Sequence, residues 1–350
     1  MERKTDIRKL SRDQLIAEME ALGEKPFRGK QVYEWLWDKR ARSFDEMTSL
    51  SLAFRQKLDE RFVIHSLTIA DKQISSDGTI KYAFKLHTGQ VVEGVLIPTK
   101  NRTTACISSQ VGCSLACKFC ATGKLKLMKN LEAYEIYDQV AEIYRDAEML
   151  RDKPLSNIVY MGMGEPLLNY KNMLESTFRI SDDIGLGMSP KRITVSTAGI
   201  AKLIRKLGDD EVRFNLALSL HAANDEKRNE IMAINESNTL TELAAALVYF
   251  HEKTGSRVTY EYIVFKDFND TLEDARELAE FCRHVPCKVN IIEYNPIDDG
   301  EFSQADPQKV DAFAAYLESK NIVVNVRRSR GKDIDAACGQ LANKNEAALK

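Results

Sequence analysis

From about residue 105 onward, short apolar runs alternate with longer amphipathic stretches, and this alternation limits the fold more than any other feature of the chain. The runs begin near Ala105, Asn157, Arg192, Val212, Arg257, Lys288 and Ile322, and helical patterns such as Asn130 to Leu150 and Asn269 to His284 separate most of them. Repeated strand and helix units call for a parallel sheet, because each helix returns the chain to the same edge of its neighbour. Six or so units in about 240 residues close, fully or partly, into a barrel, or lie open as a doubly wound sheet. Either way, function belongs at the strand C-termini. Those ends carry Ser108-Ser109-Gln110, Gly162-Met163-Gly164-Glu165-Pro166, Ser196-Thr197-Ala198-Gly199, Ser219-Leu220-His221 and Tyr294-Asn295-Pro296.

The 350 residues, 44% hydrophobic and 29% charged, supply enough apolar surface for one large domain or for a core with an accessory module. Fifty basic against 52 acidic side chains leave a formal charge of -2, so a polyanionic partner must be held by local patches. No apolar run approaches the roughly 20 residues that span a bilayer, and Met1 to Leu10 lacks the apolar stretch of a secretory signal. The expectation is a cytoplasmic protein without a membrane partner. Residues 1–75 read as a helical accessory domain: Ser11 and Gln14 form a capping box, Leu15, Ile16, Met19 and Leu22 share a face, and Gly23 supplies the stop. Trp35 and Trp37 follow among cations, as core of a small module or as stacking surfaces for bases. Residues 76–104 read as a linking β-hairpin around His87-Thr88-Gly89-Gln90, residues 105–321 as the core, and 322–350 as a last strand and C-terminal segment.

Seven cysteines, an odd number, point to thiolates used in chemistry or metal binding rather than to a disulfide framework. Cys113, Cys117 and Cys120 form C-x3-C-x2-C directly after the first core strand, with Gly112 before and Gly123 after. Zinc usually takes four closed ligands, and no second C-x2-C or H-x3-H pair is present. A [4Fe-4S] cluster needs one ligand per iron, so three cysteines leave one iron open to a small molecule. On residue types alone the cluster is favoured and zinc stays open. Cys282 and Cys287 match no motif and read as small buried side chains.

C-x3-C-x2-C at the end of the first strand of a β/α barrel resembles the radical S-adenosylmethionine (SAM) superfamily. In that superfamily the open iron is chelated by the amino and carboxylate groups of SAM, and an electron from the cluster cleaves the sulfonium to a 5′-deoxyadenosyl radical. Gly-Met-Gly-Glu-Pro at 162–166, Ser-Ser-Gln-Val-Gly-Cys at 108–113, Cys106, and Cys338 within Arg327 to Leu341 closely resemble the RlmN family. The resemblance runs from about Phe27 to Leu341. It implies a partial (β/α)6 TIM-like barrel, with a small helical N-terminal domain and a β-hairpin extension, that methylates C2 of adenine in RNA. The substrates implied are adenosine 2503 of 23S rRNA and adenosine 37 of some tRNAs.

C2 of adenine lies between two ring nitrogens and is too electron-poor to attack a sulfonium carbon, so polar methyl transfer fails. The resemblance implies a detour that uses two SAM molecules per turnover. Cys338 takes a methyl from the first, a radical derived from the second removes hydrogen from that methyl, and the carbon adds to C2. Cys106 then releases the product by forming a disulfide with Cys338, which requires the C-terminal segment to fold over the barrel mouth. By the same resemblance Glu93 is a base near the site, the alternative being a solvated strand carboxylate. Gly164, Glu165, Ser196, Ser219, Leu220, His221 and Asn295 fall where the family contacts SAM. Lys118, Lys124, Lys126 and Lys129, with Arg327, Arg328, Arg330 and Lys332, are charged surface or phosphate contacts. A flipped or unpaired base suits a barrel mouth better than an intact duplex does. The implied assembly is a monomer served by an electron donor such as flavodoxin or ferredoxin. Two alternatives remain at this point: a Cfr-like enzyme acting at C8, and a non-catalytic RNA-binding protein with structural zinc or a cluster.

Overall fold

In a computed structural model, described over residues 4–150 and 154–344, strands and helices follow one another as the alternation requires. Strand β1 (Thr5–Asp6) opens an N-terminal module of helices α1 (Arg12–Ala21), α2 (Phe27–Trp37) and α3 (Leu52–Arg61), and pairs in parallel with β2 (Phe62–Val63). The Ser11/Gln14 capping box forms, with each side chain bonded to the other residue's N–H. Gly29 lets α2 approach α1 closely, since a Cβ there would sit 2.8 Å from the Ile16 Cα. Trp37 is core: it is 1% exposed and meets the edge of Tyr137 at 5.0 Å between centroids. Trp35 is half-buried, donates its indole N–H to Ser49 Oγ at 2.7 Å, and carries the Lys39 ammonium over its ring.

Strands β3 (Thr68–Ile74), β4 (Ile80–Lys85), β5 (Val91–Pro98) and β6 (Thr103–Cys106) run antiparallel in sequence. Residues 68–74 were expected to be helical, and this is a correction. As an outer strand, β3 has mostly solvent-facing side chains, so its Thr68, Asp71, Lys72 and Gln73 show no apolar alternation. A short ribbon of β7 (Gln110–Val111) and β8 (Lys129–Asn130) follows. The core then continues as α4 (Ala133–Leu150), β9 (Asn157–Tyr160), α5 (Tyr170–Ser181), β10 (Ile193–Thr197), α6 (Ala201–Asp209) and β11 (Asn215–Ser219). It ends with α7 (Asp225–Ile231), α8 (Leu240–Thr254), β12 (Val258–Val264), α9 (Leu272–Phe281), β13 (Cys287–Glu293), α10 (Pro307–Ser319) and β14 (Val323–Arg327).

The main sheet orders these strands β14-β13-β12-β11-β10-β9-β6-β5-β4-β3. From β6 to β14 every pairing is parallel and every neighbour is the next strand in the core, with no reversal of order. That is barrel winding, not a doubly wound sheet. The outer strands β3 and β14 do not pair, so the barrel is partial. The sheet curls around a cavity of about 630 Å³ whose wall takes residues from β5, β6 and β9 to β14, among them Thr194, Glu261, Asn290 and Arg327. Residues 345–350, at the end of the expected C-terminal segment, lie outside the described residues.

Candidate active site

The loop after β6 is held closed by backbone contacts. Cys113 N–H donates to Leu125 O at 3.2 Å, and the β7/β8 ribbon joins its two ends. Gly112 has φ +75°, and a Cβ on it would strike Lys126 O at 2.1 Å. Gly123 is needed for a second close approach, since its Cβ would meet Cys117 O at 2.9 Å. The loop is also tied outward: Lys118 N–H donates to Ile231 O at 3.1 Å and Ala121 N–H to Gly339 O at 2.7 Å. Cys113, Cys117 and Cys120 are half-buried and border one cavity of about 160 Å³. Burial pushes the Cys113 thiol up to about 11 and drives Cys117 and Cys120 above their ordinary value as well. Thiols of this kind ionise on meeting a cationic centre, so the donor set suits iron and sulfide. Among the described residues, no three His, Cys, Asp or Glu side chains gather as ligands of one ion.

Gly164, Glu165, Ser196, Ser219, His221 and Cys338 border the same cavity. Gly164 has φ +93° and lies so close to Gln110 that a Cβ would come within 2.4 Å of the Gln110 Cβ. Glu165 is 3% exposed, and its carboxylate accepts N–H bonds from Leu167 at 3.0 Å and Ala198 at 2.8 Å, joining the ends of β9 and β10. Its burial raises the carboxyl pKa, and those bonds oppose the rise. The Ser196 and Ser219 hydroxyls are 3.2 Å apart. His221 is buried, with φ +58°, and its Nδ1 accepts the Ile263 N–H at 3.1 Å. Burial, and then Arg228, lower its pKa to about 3, so the ring is neutral. Leu220 and Asn295 do not border the cavity. Leu220 is wholly buried behind it, and Asn295 donates from Nδ2 to Cys338 O at 3.2 Å while its buried Oδ1 has no partner among the described residues.

Cys338 borders both cavities, and Cys106 borders the larger. By surface area Cys338 is exposed, yet protein surrounds it on most sides and that surface opens inward. Burial pushes its thiol up, and Arg327 works against the rise. Cys106, 6% exposed at the end of β6, is driven up to about 12 by burial and then by the Cys338 charge. Arg327 is half-buried and paired with Glu261 at 3.3 Å.

The segment carrying Cys338 is tethered at both ends. Asp77, in the β3–β4 turn, accepts the Gly331 N–H at 3.0 Å, and Asp333 takes the Ser75 hydroxyl at 2.5 Å and the Ser76 N–H at 3.1 Å. On the far side, Glu93 Oε2 accepts the N–H groups of Ala342 at 2.9 Å and Asn343 at 3.0 Å. Glu93 is 1% exposed on β5, with Lys81 at 3.8 Å. It is therefore not a solvated strand carboxylate, and it borders neither cavity.

Sequence reasoning passed over Arg228. This α7 residue is fully buried and donates to the carbonyls of Ala198 at 2.6 Å, Leu220 at 3.1 Å and Ser219 at 3.3 Å, and to Asn235 Oδ1 at 2.5 Å. It locks the ends of β10 and β11, but within Asp225-Glu226-Lys227-Arg228 it looks like one more solvated charge. The cationic patches are largely committed within the protein. Lys129 pairs with Glu135, Arg328 and Lys332 with Glu293, Arg330 with Asp77, and Lys124 donates to the Asp298 carbonyl.

Residues 107–282 match the family model of the radical SAM superfamily, and residues 5–64 match that of the ribosomal RNA large subunit methyltransferase N-terminal domain. With a partial barrel and a three-cysteine loop at its mouth, the molecule is a radical SAM enzyme, whose cofactors are a [4Fe-4S] cluster and SAM. A radical SAM methyltransferase from Sphaerobacter thermophilus superposes with a TM-score of 0.91 at 37% identity, covering 96% of this chain and 99% of that one. A probable dual-specificity RNA methyltransferase RlmN from Christiangramia forsetii is 59% identical over 98% of this chain and 97% of its own. The dual-specificity RNA methyltransferase RlmN of Geotalea uraniireducens is 42% identical over 99% of each. The chain belongs to the RlmN family. Among the described residues no helix is long and apolar enough to cross a membrane.

Proposed function

We propose that the protein methylates C2 of adenine in 23S rRNA, at adenosine 2503, and in tRNA, at adenosine 37, using Cys338 as methyl carrier and Cys106 as the releasing thiol. The observation that carries this reading is the position of Cys338 on the wall of both cavities, one shared with the three loop cysteines and the other with Cys106. Cys113, Cys117 and Cys120 would hold the cluster, and Gly164, Glu165, Ser196, Ser219 and His221 would line the SAM site. Leu220 and Asn295 act from behind that wall, through the backbone of their neighbours. The bound cluster and SAM supply a one-electron cleavage that yields a hydrogen-abstracting carbon radical.

Cys338 sulfur accepts a methyl group as thiolate, the form Arg327 favours. That methyl gives up one hydrogen atom and its carbon bonds to C2. The adduct then loses one electron, back to the relay that supplied it, and the C2 proton to a base. The Cys106 thiolate next attacks the Cys338 sulfur, the carbon leaves with the C–S electron pair and takes a proton to become methyl, and a disulfide remains. Glu93 stands as the base of this sequence, and its two N–H bonds to the C-terminal segment make it a tether as well. The N-terminal helices are the accessory module that meets RNA, the strands 76–104 link it to the barrel of 105–321, and 322–350 bring the carrier thiol. The protein acts as a cytoplasmic monomer with a flavodoxin or ferredoxin as electron donor. A Cys106→Ala variant should stall as a covalent protein–RNA conjugate visible as a band that survives denaturation. Normal multiple turnover by that variant removes the releasing role.

A further inference from the structure

A second pair of thiols lies at the opposite end of the barrel from the cysteine loop. Cys282 ends α9 and Cys287 opens β13, where the parallel strands begin. The Cys287 thiol donates to the Cys282 carbonyl at 3.5 Å. Both cysteines border a cavity of about 710 Å³ that neither the loop cysteines nor Cys338 touch. Cys282 is 7% exposed and Cys287 half-buried, so the second is the more accessible of the two. The charged side chains on this wall are Arg257, Arg276, Arg283 and Lys320, against a single carboxylate, Glu280. Arg276 pairs with Glu273, whereas Arg257 and Arg283 form no ion pair among the described residues.

Two thiols within reach of one another, under a cationic rim, suit a small anionic disulfide. We propose that Cys282 and Cys287 form a dithiol exchange site for an anionic low-molecular-weight disulfide, with Cys287 the attacking sulfur and Cys282 the resolving one. Cys287 attacks one sulfur of the small disulfide, that S–S bond breaks, and one thiol leaves with a proton. Cys282 then attacks the mixed disulfide, the second small thiol leaves, and the protein keeps a Cys282–Cys287 bond. Two electrons pass from the protein thiols to the small disulfide. A hydrogen bond from the Cys282 side chain, distinct from the carbonyl contact, holds the Cys287 thiol below its ordinary value, burial opposes this, and Arg257 adds to the lowering. Exchange proceeds through the thiolate, which this lowering favours.

The test uses the anaerobically reconstituted protein, treated with glutathione disulfide or, at equal concentration, with cationic cystamine, then alkylated and mapped by peptide mass spectrometry. A peptide pair joined through Cys282 and Cys287 should accumulate about tenfold faster with glutathione disulfide than with cystamine. The Arg257→Ala/Arg283→Ala variant should narrow that ratio below about threefold. Cys282→Ser should stop at a glutathione adduct on Cys287. Both cysteines remaining fully alkylatable after glutathione disulfide, or cystamine reacting as fast, would overturn the proposal. So would a Cys287→Ser variant that forms its adduct on Cys282 faster than Cys282→Ser forms one on Cys287.

Discussion

His221 and Arg228 show how single buried polar groups set the shape of the SAM cavity. The His221 Nδ1 must be unprotonated to accept the Ile263 N–H, and its pKa of about 3 reflects burial first and Arg228 second. In the unfolded chain the same ring titrates near about 6.5. Between those values the unfolded state binds a proton that the folded state refuses, so stability rises with pH across the window. The contribution is fully present above about pH 6.5 and is lost as pH falls. Urea titrations of the cofactor-free protein should lose about 2 kcal/mol more stability from pH 7 to pH 5 than those of His221→Asn, in which asparagine tolerates the positive φ. Equal slopes for the two proteins would contradict this. Arg228→Met leaves three buried carbonyls without their donor and should cost about 3 kcal/mol or more in the same assay.

At the scale of elements, the extension strands and the C-terminal segment work as a unit. The turn between β3 and β4 offers Asp77 and Ser75, and the segment answers with Gly331 and Asp333. Asp77→Ala should therefore make residues 328–341 about tenfold more sensitive to limited proteolysis while leaving Tm within about 2 °C. Unchanged cleavage would show that the Glu93 side alone suffices. This tether was not legible in the sequence, because about 250 residues separate its halves and neither half carries a periodic signal. The parallel strands were legible for the opposite reason. They appear as short apolar-rich runs between amphipathic helices, and their cavity-facing positions are polar, as in β12, where every residue from Val258 to Val264 is buried although Thr259 and Glu261 line the cavity. The outer strand β3, largely exposed on both faces, was not.

Across the whole molecule, the open barrel separates two thiol chemistries. The mouth gathers five cysteines from the loop after β6, the end of β6 and the C-terminal segment, and the far end holds Cys282 and Cys287. Of the first group, Cys113, Cys117 and Cys120 were legible because their spacing is a ligand pattern, and Cys106 and Cys338 only through the resemblance to the RlmN family. The second was read as inert small core, since only folding brings the end of α9 to the start of β13 under a cationic rim. Leu220 and Asn295 show the same limit: their motif positions were right for strand ends, but the side chains lie behind the wall rather than on it. In the proposed reaction Cys338 passes a methyl-derived carbon to C2 of adenine. Its most direct measurement is anaerobic incubation of the reconstituted protein with SAM, reductant and 23S rRNA, followed by nucleoside mass spectrometry against 2- and 8-methyladenosine standards. The expected product is 2-methyladenosine, with Cys338→Ala giving none; 8-methyladenosine, or undiminished 2-methyladenosine from Cys338→Ala, would contradict the carrier role of Cys338.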